Sequence, residues 1–452
     1  MTNNTKKISL PEIELPTPPE TGTVPFAQTS IEQTEPIKPT VMVIHASVGS
    51  GHRSAALAIS EAFDILRNSD DPELLQGISV PEDLTIETHD ILDFGRIVFD
   101  GDKTASMFTG FTRPLYDLSW RYSLTGRFLW GGGSVWSRVM FPKLTEYIEK
   151  KKPIAVICTH ITAANAAVGA RMLSKQRFPI LCVPTDYEIE GFWPHRTVDM
   201  FCVATESMAE TLRPRRLPEE KIRVTGMPTR NDFRQEYNKE EIRTDLDLPQ
   251  DKMVVLALAG AYLPRPYVHF RDTLDKVLPY LHLYSEMHFV FIAGSDKHYS
   301  DSLKRKCKDL GIKNVTILDY VDRMAALMAA SDLVICKSGG LTVTECICAH
   351  IPMILLGRTY GQEKINRRML TAMGAAIHVT TYRELLEALR HISRNPKRVE
   401  AMLINSEILR IPDASLNIAR ASFELSSHPE ELFLPRKRFL WFYWGSKPAH
   451  TR

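Results

Sequence analysis

Two glycine-containing turns carry residue types that could bind an anion or move a proton. The first, Ser47-Val48-Gly49-Ser50-Gly51-His52, follows an apolar run and precedes helically spaced apolar residues. The second, Lys337-Ser338-Gly339-Gly340, has the same setting. Free backbone N–H groups at a helix start bind anions, and glycine lets phosphate approach the backbone closely. Each turn therefore indicates a phosphate or acid–base site, although each is also compatible with an ordinary turn.

His52 is the distinctive residue of the first turn. At the start of a helix, the helix dipole lowers the pKa of an imidazole and favours the neutral form that a general base requires. The alternative is a histidine that only caps the helix or packs against it. The turn lacks the third glycine of a dinucleotide fingerprint, and no acidic residue is suitably placed downstream, which excludes an NAD site.

The second turn belongs to a longer unit with polar loops at both strand exits. The apolar runs Leu333–Cys336 and Pro352–Leu356 flank one helical pattern, and Gly361-Gln362-Glu363-Lys364 follows the second run. Two parallel strands around one helix form a half-site for a phosphorylated ligand. Thr342 and Glu345 are three residues apart, a spacing that also fits a capping box at the helix start.

Composition excludes several classes of protein. The chain has 452 residues, of which 44% are apolar and 24% charged, as in a globular protein of two or three domains. A net charge of +2 gives no bulk electrostatic argument for nucleic acid binding. The seven cysteines have neither disulfide nor metal-ligand spacing, so reduced, buried thiols and a cytosolic setting are expected. The sequence shows no signal peptide and no run of ~18 apolar residues, so any membrane contact is expected to be peripheral.

Strands alternate with helices in two series, which predicts an α/β protein with two doubly wound parallel sheets. The polar stretch around residues 231–249 marks the boundary between a domain at 39–236 and a domain at 237–428. Residues 1–38, rich in Pro, Thr and Glu, predict a disordered arm.

Two further segments combine aromatic and basic residues. One is an insertion at 95–141 within the first domain, and the other is the tail at 429–452. Aromatic rings with neighbouring cations suit the headgroup region of an anionic membrane. The alternative is that these aromatic side chains pack on the protein itself.

Five ordered motifs make a family resemblance visible. They resemble motifs of the monogalactosyldiacylglycerol synthases and the bacterial processive diacylglycerol glucosyltransferases. The resemblance implies the GT-B fold, in which two Rossmann-like, doubly wound parallel-sheet domains face a central cleft. The motifs are HASVGSGHRSAALAISEAF (45–63), PTDYEIEGFWPHRTVDMFCVATE (184–206), VTGMP (224–228), KSGGLTVTE (337–345) and GQEKIN (361–366).

The same resemblance implies an inverting transfer of glucose or galactose from a UDP-sugar to the hydroxyl of diacylglycerol. His52 is then similar to the family's proposed catalytic base. Glu345 would accept hydrogen bonds from the ribose, and Gln362 and Glu363 would read the sugar hydroxyls. The implied acceptor-binding residues are Gly49, Gly51, Asp186 and His195. The implied donor-binding residues are Gly260, Ala261, Tyr320, Val321, Lys337, Ser338, Gly339, Gly340, Thr342, Glu345, Gln362 and Glu363.

Partners and location follow from the resemblance as well. The expected partners are UDP-glucose or UDP-galactose, diacylglycerol and an anionic membrane surface, with no nucleic acid, no metal and no other cofactor. The protein is expected in the cytoplasm, peripherally bound to the cytosolic face of the membrane. Two alternatives stay open: a related transferase acting on another lipid-linked acceptor, of the peptidoglycan-precursor type, and a UDP-sugar sensor without transferase activity.

Overall fold

Two six-stranded parallel sheets organise the described part of the chain. The computed structural model describes residues 38–47, 50–96, 139–174, 176–189, 193–194, 197–213, 217–260, 268–359, 362–428, 437–439 and 442–444.

The first sheet is formed by strands from the first half of the chain. Its strands are Thr40–His45 (β1), Thr85–Asp90 (β2), Ala155–Cys158 (β3), Ile180–Cys182 (β4), Met200–Val203 (β5) and Ile222–Val224 (β6). They lie in the order β2-β1-β3-β4-β5-β6, and all neighbouring pairs are parallel. All six residues of β1 are buried, as expected for a strand covered on both faces. The helices of this part are Ser50–Arg67 (α1), Pro72–Leu75 (α2), Pro142–Lys151 (α3), Ile161–Ser174 (α4) and Glu206–Leu212 (α5).

The second sheet repeats this plan. Its strands are Met253–Leu258 (β7), Met287–Ile292 (β8), Val315–Leu318 (β9), Leu333–Cys336 (β10), Met353–Leu356 (β11) and Ala376–Val379 (β12). The order is β12-β11-β10-β7-β8-β9, again with parallel neighbours. The helices of this part are Lys239–Asp245 (α6), Val268–Val277 (α7), Lys297–Asp309 (α8), Met324–Ala329 (α9), Gly340–Cys348 (α10), Gln362–Ala372 (α11), Tyr382–Arg394 (α12), Pro396–Glu407 (α13) and Ala414–Ser426 (α14).

Each sheet has one point at which the strand order reverses. In the first sheet β1 lies beside β3, and in the second β7 lies beside β10. At such a switch point the two chain connections leave in opposite directions, and a crevice opens at the carboxyl ends of the strands. The turn before α1 leaves β1, and the turn before α10 leaves β10, so both glycine turns lie at a switch point.

The last long helix returns to the first sheet. The ring of Phe423 on α14 packs edge-to-face on Phe63 of α1, with centroids 5.3 Å apart. Ser415 Oγ donates to the carbonyl oxygen of Thr229 at 2.8 Å, and Arg223 pairs with Glu424 at 2.6 Å. The apolar residues of α14 thus complete the core on that face of the sheet. This packing differs from the sequence-based assignment of all of 237–428 to the second domain.

The structure confirms the predicted fold class. It adds β12 and an antiparallel hairpin in the tail, formed by Lys437–Phe439 (β13) and Phe442–Trp444 (β14), neither of which was predicted. The seven cysteines are free and buried, as predicted. None of the helices described is long and apolar enough to cross a bilayer. Residues 1–37, 97–138 and most of 429–452 lie outside the described residues, so the predictions for the arm, the insertion and the tail stay predictions.

Candidate functional site

His52 lies at the switch point of the first sheet, as the third residue of α1. Its Nδ1 is 3.0 Å from the carbonyl oxygen of Thr159 and 2.8 Å from Oγ1 of Thr185. Thr159 follows β3, and Thr185 follows β4. A carbonyl oxygen can only accept, so the first contact requires the proton on Nδ1 and leaves the lone pair on Nε2. This is the tautomer of a base that acts through Nε2.

Burial, with a smaller contribution from the nearby His45, lowers the pKa of His52 to about 4, although the bond to Thr159 opposes the shift. The imidazole is therefore neutral at pH 7, as predicted. The main cause is desolvation, not the helix dipole on which the sequence argument relied. The ring of His160 stands edge-on to that of His52, with centroids 4.6 Å apart, and burial lowers the pKa of His160 as well. Two neutral rings avoid the repulsion that two adjacent cations would feel.

The second glycine turn, residues 337–340, leads into α10 at the second switch point and is called the donor turn after the role predicted for it. Gly339 is the N-cap and Gly340 the first helical residue, and no side chain caps the helix. The helix therefore begins at Gly340 and not near Thr342, and the structure excludes the capping box because Thr342 and Glu345 both lie inside the helix. The first backbone N–H groups of α10 are left for another acceptor.

Side chains from the next loop surround this turn. Ser338 Oγ donates to the carbonyl oxygen of Glu363 at 2.9 Å, and Lys337 Nζ lies 3.5 Å from Oε1 of Glu363. A Cβ added at Gly339 would meet Oε1 of Glu363 at 3.8 Å, an ordinary contact. The structure thus brings Lys337, Ser338, Gly339 and Glu363 together at the N-terminus of α10. A cation and free amides at one helix start suit a diphosphate.

Glu345 lies further along the same helix and is half-buried. Burial, with a smaller contribution from the nearby Asp232, raises the pKa of its carboxyl group to about 7, although Arg230 opposes the shift. Oδ1 of Asp232 is buried and has no hydrogen-bond partner among the described residues. The Glu345 carboxyl group therefore changes charge near neutral pH, in a region where a ligand hydroxyl could offer it a hydrogen bond.

For the remaining predicted donor-binding residues within the described part of the chain, the structure shows how they pack and how exposed they are. A Cβ at Gly260 would lie 2.2 Å from the backbone nitrogen of Gly294, so close packing of two strand exits requires glycine there. Tyr320 is 69% exposed, while Val321 packs against a cluster of buried apolar residues that includes residues of both sheets. Thr342 and Gln362 are half-buried. Gly49, His195 and Ala261 lie outside the described residues.

A bridging segment, residues 185–187, follows β4 and reaches the donor turn. The carbonyl oxygen of Thr185 would lie 2.1 Å from a Cβ added at Gly340, so only glycine fits. Asn366 Nδ2 donates to Oδ1 of Asp186 at 2.9 Å and to the carbonyl oxygen of Ser338 at 3.0 Å. The predicted acceptor residue Asp186 therefore lies against the donor turn, and Gly51 lies nearby, 4.0 Å from Leu341 of α10 when its Cβ is added.

Sequence reasoning missed Thr159, Thr185 and Asn366. Thr159 and Thr185 lie 107 and 133 residues from His52, and Asn366 lies 180 residues from Asp186. Two motifs were available as signals: GQEKIN, which ends at Asn366, and the motif at 184–206, whose second residue is Thr185. Among the described residues no three His, Cys, Asp or Glu side chains are grouped as metal ligands would be. Independence from a metal stays a prediction.

Comparison with known proteins gives two family matches that follow one another along the chain. Residues 52–229 match the model of monogalactosyldiacylglycerol (MGDG) synthase, and residues 267–418 match the glycosyltransferase family 28 C-terminal domain. A processive diacylglycerol beta-glucosyltransferase of Staphylococcus saprophyticus subsp. saprophyticus is 25% identical over 405 residues, which cover 87% of this chain and 95% of that protein.

Solved structures agree on the fold. MurG of Acinetobacter baumannii has 17% identity and a TM-score of 0.50, with 84% of this chain and 98% of that chain covered. UDP-GlcNAc 2-epimerase of Neisseria meningitidis bound to UDP-GlcNAc has 16% identity and a TM-score of 0.53, with 84% and 99% covered. With the family matches on both halves, these findings confirm the resemblance drawn from the motifs. The chain is therefore a GT-B glycosyltransferase, with a monogalactosyldiacylglycerol synthase domain at residues 52–229 and a glycosyltransferase family 28 C-terminal domain at residues 267–418.

Proposed function

We propose that this glycosyltransferase moves glucose or galactose from a UDP-sugar to the free hydroxyl of diacylglycerol, forming a β-glycosyldiacylglycerol. One observation carries the proposal: the bridging segment contacts both the imidazole of His52 and the donor turn. A neutral base and a cluster of anion-binding groups therefore share one crevice. The named activity of the Staphylococcus relative supports diacylglycerol as the acceptor.

His52 acts as the general base. Its Nε2 takes the proton from the acceptor hydroxyl as that oxygen attacks the anomeric carbon of the sugar. Direct displacement of UDP inverts an α-linked donor to a β-glycoside. A bound diphosphate brings negative charge into the crevice, and this raises the pKa of His52 from about 4 towards the range of an effective base.

The donor turn stabilises the charge that builds on the departing UDP. Backbone N–H groups of Gly339 and Gly340 point at the diphosphate, the dipole of α10 adds to them, and Lys337 supplies a positive charge. These groups are held in place before the reaction by Glu363 and Asn366, so little reorganisation is needed as charge develops.

Recognition of the rest of the donor uses the loops beyond the turn. Glu345 accepts hydrogen bonds from the ribose, and the backbone at Tyr320 and Val321 meets the uracil. Gln362 and Glu363 read the sugar hydroxyls. Glucose and galactose differ in one hydroxyl orientation, which one or two hydrogen bonds decide.

The acceptor is a membrane lipid, so the enzyme works at a membrane surface. We assign the acceptor to the His52 side of the crevice, next to Gly51, and Asp186 of the bridging segment lies between that side and the donor turn. The basic, aromatic tail at 429–452 and the insertion at 95–141 provide the contact with anionic headgroups on the cytosolic face.

The test is transfer by the purified full chain. Radiolabelled UDP-glucose and UDP-galactose are supplied separately to vesicles containing diacylglycerol, and in parallel to vesicles containing a polyprenyl-linked acceptor. We expect label in a β-linked glycosyldiacylglycerol, identified by thin-layer chromatography and by the anomeric coupling constant in NMR. Label only in the polyprenyl lipid, or in no lipid, would overturn the proposal.

A second experiment tests whether His52 is the general base. His52→Ala is expected to lower kcat by about 10²–10⁴-fold while UDP affinity stays close to wild type. The matched control is His288→Ala, because His288 lies on β8 and bonds Thr316 of the neighbouring strand β9, outside the site. Turnover retained in His52→Ala would exclude His52 as the base.

A further inference from the structure

Tyr187 lies between the base and the donor helix without touching the reacting groups. We propose that Tyr187 is a positioning residue, which fixes the bridging segment to α10 and thereby holds His52 at a set distance from the donor. The inference rests on the proposed function of the site, and four contacts carry it.

The first contact is the tyrosine hydroxyl. Tyr187 is 6% exposed, and its hydroxyl lies 2.9 Å from Oγ1 of Thr344 on α10. Thr344 already donates its single hydroxyl proton, to the carbonyl oxygen of Gly340 at 2.8 Å. Tyr187 must therefore be the donor in this pair. Burial raises the pKa of the tyrosine, so the hydroxyl keeps its proton at all working pH values.

The second contact is through the backbone of the same residue. The N–H group of Tyr187 donates to Oδ1 of Asn366 at 3.0 Å, and Asn366 is fully buried. Asn366 in turn bonds the side chain of Asp186 and the carbonyl oxygen of Ser338. Tyr187 is thus tied to α10 by its side chain and, through Asn366, to the donor turn by its main chain.

The third and fourth contacts lie two residues earlier, at Thr185. Its Oγ1 bonds Nδ1 of His52, and its carbonyl oxygen packs against Gly340 with no room for a Cβ. An unbroken series of contacts therefore runs from the imidazole through Thr185 and Tyr187 to α10. Releasing the tyrosine end lets the segment that orients the imidazole move.

Such a movement acts on chemistry more than on donor binding. The nucleotide is held by the donor turn and α10, whose own bonds to Glu363 do not involve Tyr187. The imidazole, by contrast, has side-chain support from Thr185 on the bridging segment. Misplacement of a catalytic group by ~1 Å costs up to about 10²-fold in rate.

The experiment compares Tyr187→Phe, Thr344→Val and the double variant with wild type. Each single variant is expected to lower kcat about tenfold, with KM for the UDP-sugar within about twofold of wild type. Because both substitutions break the same bond, the double variant should be no slower than the slower single variant. Thr344→Ser keeps the hydroxyl and should restore most of kcat.

Tyr284→Phe is the matched control. Tyr284 is equally buried at 5% exposure, and its hydroxyl donates to the carbonyl oxygen of Leu386 at 2.7 Å, away from the site. It should lower thermal stability as Tyr187→Phe does but leave kcat unchanged. A Tyr187→Phe enzyme with wild-type kcat, or one with equal losses in kcat and donor affinity, would overturn the inference. Wild-type protein that transfers to no lipid would instead overturn the proposed function, and this inference with it.

Discussion

Gly340→Ala is the sharpest perturbation that the structure offers. The added Cβ would lie 2.1 Å from the carbonyl oxygen of Thr185 and 3.0 Å from Oδ1 of Asp186, whereas ordinary contacts begin at 3.4 Å. The bridging segment must therefore move by roughly 1 Å. Overpacking of this kind destabilises by about 1–3 kcal/mol. The better helix propensity of alanine offsets at most about 1 kcal/mol of that.

The displacement of the bridging segment also affects His52. Because Thr185 bonds Nδ1 of His52, a displacement of roughly 1 Å removes the side-chain support of the imidazole. We expect kcat to fall by about 10- to 100-fold at saturating donor. Urea unfolding measures the loss of stability, and rapid-quench single-turnover transfer measures the chemical step.

Gly339→Ala is the neighbouring control. Gly339 has φ −66° and ψ 137°, which any residue adopts, and its added Cβ meets Oε1 of Glu363 at 3.8 Å and Oγ1 of Thr342 at 4.0 Å. This variant should unfold at the wild-type urea concentration. If Gly340→Ala were as stable and as active as Gly339→Ala, the close approach of Thr185 to α10 would be refuted.

Three further predictions concern pH and membranes. Because burial lowers the pKa of His52 to about 4, kcat/KM of the Glu345→Gln variant, which removes the titration of Glu345, should be flat from about pH 5 to 7 and fall only near about pH 4; an inflection near the ordinary histidine value in that variant would contradict the buried, neutral base. Because the pKa of Glu345 is about 7, calorimetric affinity for UDP-glucose should rise about tenfold as pH increases through 7, and Glu345→Gln should abolish that rise. Deleting residues 434–452 should weaken sedimentation with anionic vesicles but not with neutral ones, and unchanged binding would assign the tail to the folded body.

Most strands of both sheets were predictable because each is a short apolar run. β10 begins and ends at the predicted residues, Leu333 and Cys336, and β11 begins one residue after the predicted start at Pro352. A parallel strand buried on both faces has to be apolar throughout, so its limits are visible in the sequence. β12 was missed because His378 interrupts its apolar run and its two middle residues are only half-buried.

Only those parts of the site that are formed by residues close together in the sequence were predictable. The glycine turns, His52 and Glu363 stand out because a helix start, a strand exit and a polar loop have recognisable residue types. Thr185 and Asn366 are ordinary polar residues, and their importance comes from contacts across 133 and 180 residues. The sequence also left a capping box at Thr342 and Glu345 open, and the structure excludes it because α10, with a glycine N-cap, starts two residues earlier than Thr342.

The return of α14 to the first sheet has a consequence for biosynthesis. Val43, Phe63 and their neighbours on that face of the sheet share a core with Leu416 and Phe423, which the ribosome adds only after every strand of the second sheet. The first sheet therefore cannot complete its core when its own strands have emerged, and must wait with apolar surface exposed until α14 arrives. A polypeptide truncated at residue 236 would remain in that state and precipitate, so the two halves are made as one molecule and not as exchangeable modules.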